Sequence, residues 1–217
     1  MGDESVMTAE SPDIEELLQR AGQGERAACS ELLERHRQRL RRMIAVRLDS
    51  RVAVRADASD VLQEALATAA EQMPDYLRRR PLPFYPWLRQ IAWQQVAQAH
   101  RRHVQARKRS VLREENADLI LADGSALALA NRLFTDSRSS PSATVRRGEL
   151  QARVRAALLQ LGERDREVLI LRYLEELAPH EIAAVLGISP GAASMRHARA
   201  LRQLRNILGE ALGESES

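Results

Sequence analysis

The chain has 217 residues, and 33 Lys and Arg against 30 Asp and Glu give it a formal net charge of +3. That length allows one large domain or two small ones with a modest core. Apolar residues make up 44% and aromatic residues only 3%, which favours helices over sheets. A single cysteine, Cys29, excludes an intramolecular disulfide. No stretch reaches the ~18 apolar residues of a membrane span.

The N-terminal residues are acidic and lack the basic and apolar segments of a signal peptide. We therefore expect a cytoplasmic protein without membrane insertion. The cations are nearly all arginine, whose guanidinium forms bidentate bonds with phosphate. This enrichment suits a nucleic-acid partner, although the codon usage of a GC-rich genome would produce it as well.

The first half of the chain predicts a helical domain over residues 13–110, preceded by a disordered segment at 1–12. Asp13 and Glu16 have the spacing of a helix-capping box. The Gly-Gln-Gly sequence at 22–24 then separates a short first helix from a long second one. Apolar residues recur at helical spacing along this second helix: Leu32, Leu33, Leu40, Met43, Ile44 and Leu48.

A third helix is predicted to begin within residues 57–60 and to end at Pro74. The segment 78–86 is rich in proline and cannot be helical throughout. A fourth helix is predicted from about Trp87 to Arg109, with a basic end.

Residues 111–148 contain turn-forming sequences and predict a linker, within which the apolar strip 119–129 is suited to a short helix or a docking segment. A second helical domain is predicted over 149–211, and residues 212–217 are expected to be a disordered tail. The fold class is therefore all-α, with two small helical domains. The last helix has this predicted inner stripe: Met195, Ala198, Leu201, Leu204 and Leu208.

The segment 181–196 (Glu-Ile-Ala-Ala-Val-Leu-Gly-Ile-Ser-Pro-Gly-Ala-Ala-Ser-Met-Arg) has the pattern of a helix-turn-helix. Gly187 is able to adopt the left-handed conformation that ends a helix. Ser189 is predicted to cap the next helix and Pro190 to occupy its first position. Side chains near the start of a recognition helix meet base edges and phosphates, and here they are Ser194, Arg196, His197 and Arg199. An αα-hairpin within a bundle is the alternative, but the arginine row that continues along this helix favours DNA binding.

Five of the seven aromatic residues lie between positions 76 and 93, directly before the basic cluster 100–109. Aromatic rings beside cations suit unstacked bases, but a small helical domain also needs large core side chains. We assign Trp87 to the core and leave Tyr85 and Trp93 open between the two roles.

Several motifs together resemble the extracytoplasmic-function sigma factors of RNA polymerase. In the first half they are Asp-Val-Leu-Gln-Glu at 60–64, Phe-x-x-Trp-Leu-x-x-Ile-Ala at 84–92 and the Arg pair at 101–102. In the second half they are Leu-x-x-Arg-x-Arg-Glu-Val-Leu at 161–169 and the helix-turn-helix at 181–196. Their order and the intervening linker match the family, and the resemblance covers nearly all of residues 13–208.

The resemblance implies a sigma region 2 helical bundle followed by a sigma region 4 helix-turn-helix domain, with core RNA polymerase and promoter DNA as partners. It assigns polymerase binding to Asp60, Gln63 and Glu64. It assigns reading of the opened minus-ten element to Tyr85, Trp93, Gln94, Arg101 and Arg102. Minus-thirty-five binding falls to the four side chains Ser194, Arg196, His197 and Arg199. An anti-sigma factor is a further partner suggested by the resemblance.

The sequence departs from the family at Trp93-Gln94, at Gln98 and at Ala192-Ala193, where the family often has Arg-Asn, Asp and Thr-Val. These changes fall in promoter-reading segments, so the promoter sequence does not carry over from the family.

Other function classes are less well supported by the residues. Asp57, Asp60 and Glu64 would be a Mg²⁺ set only with further converging acids, and acids in a first helical turn also interact favourably with the helix dipole. His100 and His103 lie among cations that disfavour a metal. We expect no enzyme, metal or cofactor. A DNA-binding regulator that acts without polymerase, or a helical adaptor that binds only protein, remain the alternatives.

Overall fold

The structure, a computed structural model, describes residues 12–48, 58–108 and 143–213. These residues belong to two compact units that divide the chain near residue 120. The described residues form helices and no strands, as expected for an all-α fold. The expectations for the N-terminal segment 1–11, for Asp57, for the apolar strip 119–129 and for the last four residues lie outside the described residues.

In the first unit, the described residues form the helices α1 (Pro12–Gly22), α2 (Arg26–Arg47), α3 (Ala58–Arg79) and α4 (Phe84–Lys108). Helices α2, α3 and α4 pack against one another, and α1 packs on α2 and α3. The predicted stripe of α2 faces the core, where Leu32, Leu40, Met43 and Ile44 are fully buried, while Leu33 is half-buried. The corner between α1 and α2 is closed by Gly24 at φ 90° and by an ion pair between Arg20 and Glu25.

The expected end of α3 at Pro74 is wrong, because the helix continues to Arg79. Proline lacks the N–H that would bond the carbonyl four residues earlier, at Ala70. Both Pro74 and Ala70 are exposed, so water can take that carbonyl. Met73 and Tyr76 are buried on either side of the proline, and their packing stabilises the helix across it.

Helix α4 begins at Phe84, three residues before the predicted start at Trp87. The first backbone hydrogen bond of this turn is donated by Trp87 to the carbonyl of Pro83, at 3.1 Å. Pro86 therefore occupies a first-turn position whose N–H would have no partner within the helix. The segment before it is fixed by the Tyr76 hydroxyl, which donates to the carbonyl of Leu82 at 3.1 Å.

Aromatic rings fill the core beside this connection. The rings of Tyr76 and Trp87 stack with centroids 4.3 Å apart, and Phe84 lies 5.5 Å from Tyr76 and 5.6 Å from Trp87. Phe84 is fully buried and Trp87 nearly so. The assignment of Trp87 to the core is confirmed.

The second unit contains α5 (Ala143–Gln160), α6 (Glu163–Leu169) with a π-helical turn at Ile170–Leu174, α7 (Pro179–Leu186) and α8 (Pro190–Gly213). Helix α5 begins inside the stretch predicted as linker, and α8 extends two residues into the predicted tail. Helix α8 packs against α5, α6 and α7. Among the residues that the structure describes, none of the helices combines the length and apolar character needed to cross a membrane.

Candidate nucleic-acid and polymerase interfaces

The turn between α7 and α8 has the geometry that the sequence predicts for a helix-turn-helix. Gly187 adopts φ 62° and ψ 37°, the left-handed conformation. The N–H of Ile188 donates to the carbonyl of Ala183 at 3.0 Å, and that of Gly187 to Ala184 at 3.4 Å. These two bonds satisfy carbonyls at the end of α7 in the pattern of a Schellman motif. The predicted role of Gly187 is confirmed.

Helix α8 begins as predicted, with Pro190 in its first position. The Ser189 hydroxyl accepts a hydrogen bond from the N–H of Ala192 at 3.2 Å, which caps the helix. Ala183 and Ala193 are both buried. Their small side chains let α7 and α8 approach closely.

The inner face of α8 differs from the predicted stripe. Leu204 and Leu208 are buried as expected, but Met195 is 77% exposed and Ala198 is exposed. The first buried side chain of the helix is Ala193, two residues before Met195. Two helical residues correspond to a rotation of ~200°, so burying Ala193 turns Met195 outward. The expectation that Met195 and Ala198 belong to the inner stripe is therefore wrong, and Leu201 is half-buried.

Two of the four predicted duplex-reading residues, His197 and Arg199, contact side chains of α6 and of the π-helical turn that follows it. A ring nitrogen of His197 lies 3.2 Å from the Tyr173 hydroxyl. Burial, and secondarily the charge of Arg172, lower the pKa of His197, which favours its neutral form. Arg199 donates two hydrogen bonds to Asp165, at 2.7 and 3.3 Å, and this carboxylate raises the pKa of Arg199.

The other two predicted residues are Ser194, which is exposed, and Arg196, which is half-buried. The Ser194 hydroxyl donates to the carbonyl of Pro190 at 3.1 Å within the helix. Farther along α8, Arg202 and Arg205 are exposed. The exposed side of this helix carries Ala192, Ser194 and Met195 in its first turns and Arg199, Arg202 and Arg205 in its later turns.

Asp60, Gln63 and Glu64, the predicted polymerase-binding residues, are all exposed on α3, while Val61 and Leu62 face the core. Glu64 accepts a hydrogen bond from Arg102 of α4 at 3.0 Å, and both side chains are about half-exposed. The structure thus joins a residue assigned to polymerase binding with one assigned to the minus-ten element. An exposed pair of this kind contributes about 0.2–1 kcal/mol.

The outer side of α4 presents Trp93, Gln94 and Arg101, which are all exposed. Trp93 is 37% exposed, and the guanidinium carbons of Arg47 and Arg89 lie 5.3 and 5.9 Å from its ring centroid. Both arginines are themselves buried. The sequence analysis missed them, although Arg89 stands four residues before Trp93 on the same helix, a spacing that places their side chains together.

Tyr85 is not available to stack on a base, and its assignment to the minus-ten set is corrected. Its side chain is only 2% exposed. The guanidinium carbon of Arg39 lies 3.7 Å from its ring centroid, and the ring of His36 lies 5.5 Å away. Phe84, Pro86 and Trp87 are buried as well, so the first turn of α4 lies inside the core and Tyr85 lies there with it.

Within the described ranges, no group of three or more His, Cys, Asp and Glu residues is arranged to hold a metal ion. Glu64, one of the acids weighed as a Mg²⁺ ligand, forms the ion pair with Arg102. A ring nitrogen of His100 lies 3.2 Å from the carbonyl oxygen of Arg47 and so links the end of α2 to α4.

A helical bundle and a helix-turn-helix unit in one chain are typical of two-domain helical DNA-binding proteins. Residues 32–106 match the family model Sigma-70 region 2, and residues 157–206 match Sigma-70, region 4. The chain is 31% identical over 195 residues to the RNA polymerase sigma factor CarQ of Myxococcus xanthus, covering 89% of this chain and 96% of CarQ. It is 29% identical over 200 residues to the ECF RNA polymerase sigma factor SigD of Mycobacterium tuberculosis, covering 92% of this chain and 86% of SigD.

A solved structure, described as CnrH in complex with the cytosolic domain of CnrY, aligns with a TM-score of 0.49 and 24% identity, covering 93% of this chain and 97% of that one. The family models and CarQ establish the identity: the chain belongs to the extracytoplasmic-function sigma factors of RNA polymerase. Its function is that of a sigma factor in transcription initiation.

Proposed function

We propose that the two units bind one promoter at two places while the first unit also binds core RNA polymerase. Helix α3 docks on polymerase through Asp60, Gln63 and Glu64, and the outer side of α4 reads the opened minus-ten strand. Helix α8 binds the minus-thirty-five duplex. The observation that carries the proposal is the pairing of a helix-turn-helix with a separate unit whose exposed faces are acidic on α3 and aromatic and basic on α4.

The polymerase-binding face is tested by charge reversal. Glu64→Arg should weaken the affinity for core polymerase, because it places a cation in an acidic and polar docking surface. Glu16→Arg, an equally exposed reversal on α1, is the matched control and should leave that affinity unchanged. The measurement is a fluorescence binding titration of the full chain with core polymerase.

Glu64→Arg also breaks the ion pair with Arg102, so the two effects need to be separated. The exchanged pair Glu64→Arg with Arg102→Glu restores opposite charges across the same 3.0 Å contact but leaves the docking face basic. If docking is the role of Glu64, the exchanged pair binds polymerase as weakly as the single variant. Recovery of binding by the exchange would assign Glu64 to the ion pair instead.

The minus-ten role depends on Trp93, whose ring is partly exposed beside two arginines. Stacking of a base on an aromatic ring is worth about 1–3 kcal/mol. Trp93→Ala should therefore reduce strand opening in the holoenzyme complex, measured by permanganate reactivity of unpaired thymines. Tyr85→Phe is the control, since Tyr85 is enclosed in the core, and it should leave opening unchanged. Equal opening in both variants would contradict this role of Trp93.

We further propose that the other minus-ten residues, Gln94, Arg101 and Arg102, contact the strand backbone and base edges around Trp93. Ser194, Arg196, His197 and Arg199 serve the duplex contact of α8. His197 and Arg199 act there from positions fixed by Tyr173 and Asp165.

We also propose that the protein performs no catalysis of its own, works in the cytoplasm and is regulated by an anti-sigma factor. Family membership supports these three proposals. Affinity purification of the tagged chain from cells tests for an anti-sigma factor. The eluate is analysed for core polymerase and for other proteins that bind the chain. A second protein that excludes core polymerase from the complex would be the expected result.

A further inference from the structure

The first turns of α8 present an apolar strip where a recognition helix would present polar groups. Ala192, Met195 and Ala198 are all exposed and recur at intervals of three residues, so they lie along one side of the helix. Met195 is 77% exposed, the largest exposed fraction among the described residues that are large and hydrophobic. This strip has no role in the core, which the helix reaches through Ala193 and Ala200.

Three of the polar residues nearby are engaged with the protein itself, and a fourth, Arg196, is half-buried beside Met195. Ser194 donates within the helix, His197 contacts Tyr173 and Arg199 is bonded twice to Asp165. Met195, the large exposed apolar side chain of the first two turns, offers a thioether and methylene groups. Such a group cannot recognise a hydrogen-bonding base edge, but it can recognise an apolar one.

The major groove of B-DNA offers one apolar group, the C5-methyl of thymine. We propose that Met195 reads a thymine methyl in the upstream duplex element and is a specificity-determining residue of this protein. Ala192 and Ala198 flank it with small side chains, which let the helix approach the base pair closely. The unbranched methionine side chain adapts readily to an apolar surface. The proposal rests on the proposed role of α8 in duplex binding.

The position of the strip selects duplex DNA as its occupant. Met195 lies six residues after the Ser189 cap, in the part of a recognition helix that meets base edges. Arg202 and Arg205 are exposed two to three turns farther along the same helix, at a distance suited to the phosphates that flank a groove. An apolar strip continued by cations complements a methyl-bearing groove bordered by phosphates.

The test removes only the methyl group. Holoenzyme formed from the full chain is first used to select upstream elements from randomised duplexes. Each thymine of the selected element is then replaced in turn by deoxyuridine, which pairs with adenine in the same way. At one position, the wild-type protein should lose about three- to fivefold in affinity, the effect of one buried methyl-sized group.

The Met195→Gln variant should bind the thymine and deoxyuridine duplexes equally at that position, because its contact with the methyl is gone. Leu159→Gln is the matched control, since Leu159 is also exposed, at 62%, but lies on α5. It should keep the full discrimination between thymine and deoxyuridine whatever its overall affinity.

Two results would overturn the inference while leaving the proposed function intact. One is an upstream footprint that is unchanged by every deoxyuridine replacement. The other is discrimination that persists undiminished in Met195→Gln, which would assign methyl reading to a different residue. Failure of the holoenzyme to protect any upstream duplex would instead overturn the role of α8, and the inference with it.

Discussion

Gly187 offers a sharp test of the helix-turn-helix, because its contribution to stability arises from its own backbone. It adopts φ 62°, and a Cβ built at this position meets no atom within 4 Å. A substitution is therefore penalised by the left-handed conformation and not by a clash. For an L-residue that conformation costs roughly 1–2 kcal/mol, and for a β-branched residue it is a marked outlier.

Gly187→Ala should accordingly destabilise the second unit by about 1–2 kcal/mol and Gly187→Val by more. Native-state hydrogen exchange of the full chain provides the measurement, because it reports local free energies of opening. A loss of 1.4 kcal/mol accelerates exchange about tenfold in the amides of α7 and α8. The amides of the first unit serve as the internal reference.

Gly209→Ala is the matched control within the same unit. Gly209 is exposed, lies inside α8 and likewise has open space around its added Cβ. Because glycine inside a helix is destabilising relative to alanine, this change should stabilise by about 0.5–1 kcal/mol. The two substitutions should therefore change the free energy of opening of the second unit in opposite directions. Unchanged exchange in α7 and α8 of Gly187→Val would refute the account of the turn.

Two further predictions concern a single side-chain contact in each unit. Tyr76→Phe removes the hydrogen bond to the Leu82 carbonyl and should lower the free energy of unfolding of the first unit by about 0.5–1.5 kcal/mol. The emission of Trp87, which stacks on Tyr76, follows this in a urea titration, and an unchanged midpoint would contradict it. Burial lowers the pKa of His197 below its ordinary value of about 6.5, so the unfolded chain takes up the proton first as the pH falls. The second unit should therefore lose stability as the pH falls from about 6.5 toward the lower folded pKa. His197→Gln should flatten this dependence in denaturation midpoints measured between pH 7.5 and 5.5, and an equally steep dependence in the variant would assign the effect to another group.

The contacts of His197 and Arg199 bear on how α8 meets DNA. Both side chains extend from α8 toward α6 and its π-helical turn, where His197 contacts Tyr173 and Arg199 contacts Asp165. Neither partner belongs to the helix-turn-helix pattern at 181–196. The orientation of α8 is thus stabilised from outside the motif, while Met195, Arg202 and Arg205 are exposed on its outer side.

The sequence was sufficient to predict the features that depend on neighbouring residues. Gly187, Ser189 and Pro190 determine the turn through their own allowed backbone angles and hydrogen bonds, so their order in the chain predicts its geometry. The apolar spacing of α2 predicts its buried side for the same local reason. The family also followed from the sequence, because short motifs in the right order carry more information together than each does alone.

Tertiary packing alone decided how each helix is turned about its axis and which side chains it covers. Met195 and Tyr85 illustrate this, since one is outside and the other inside against expectation. Pro74 stays within a helix because buried neighbours on both sides hold it there. The ion pairs Arg102–Glu64 and Arg199–Asp165 join residues 38 and 34 positions apart, and no local pattern encodes such a distance. Backbone angles depend on adjacent residues, whereas burial depends on elements that are far away in the chain.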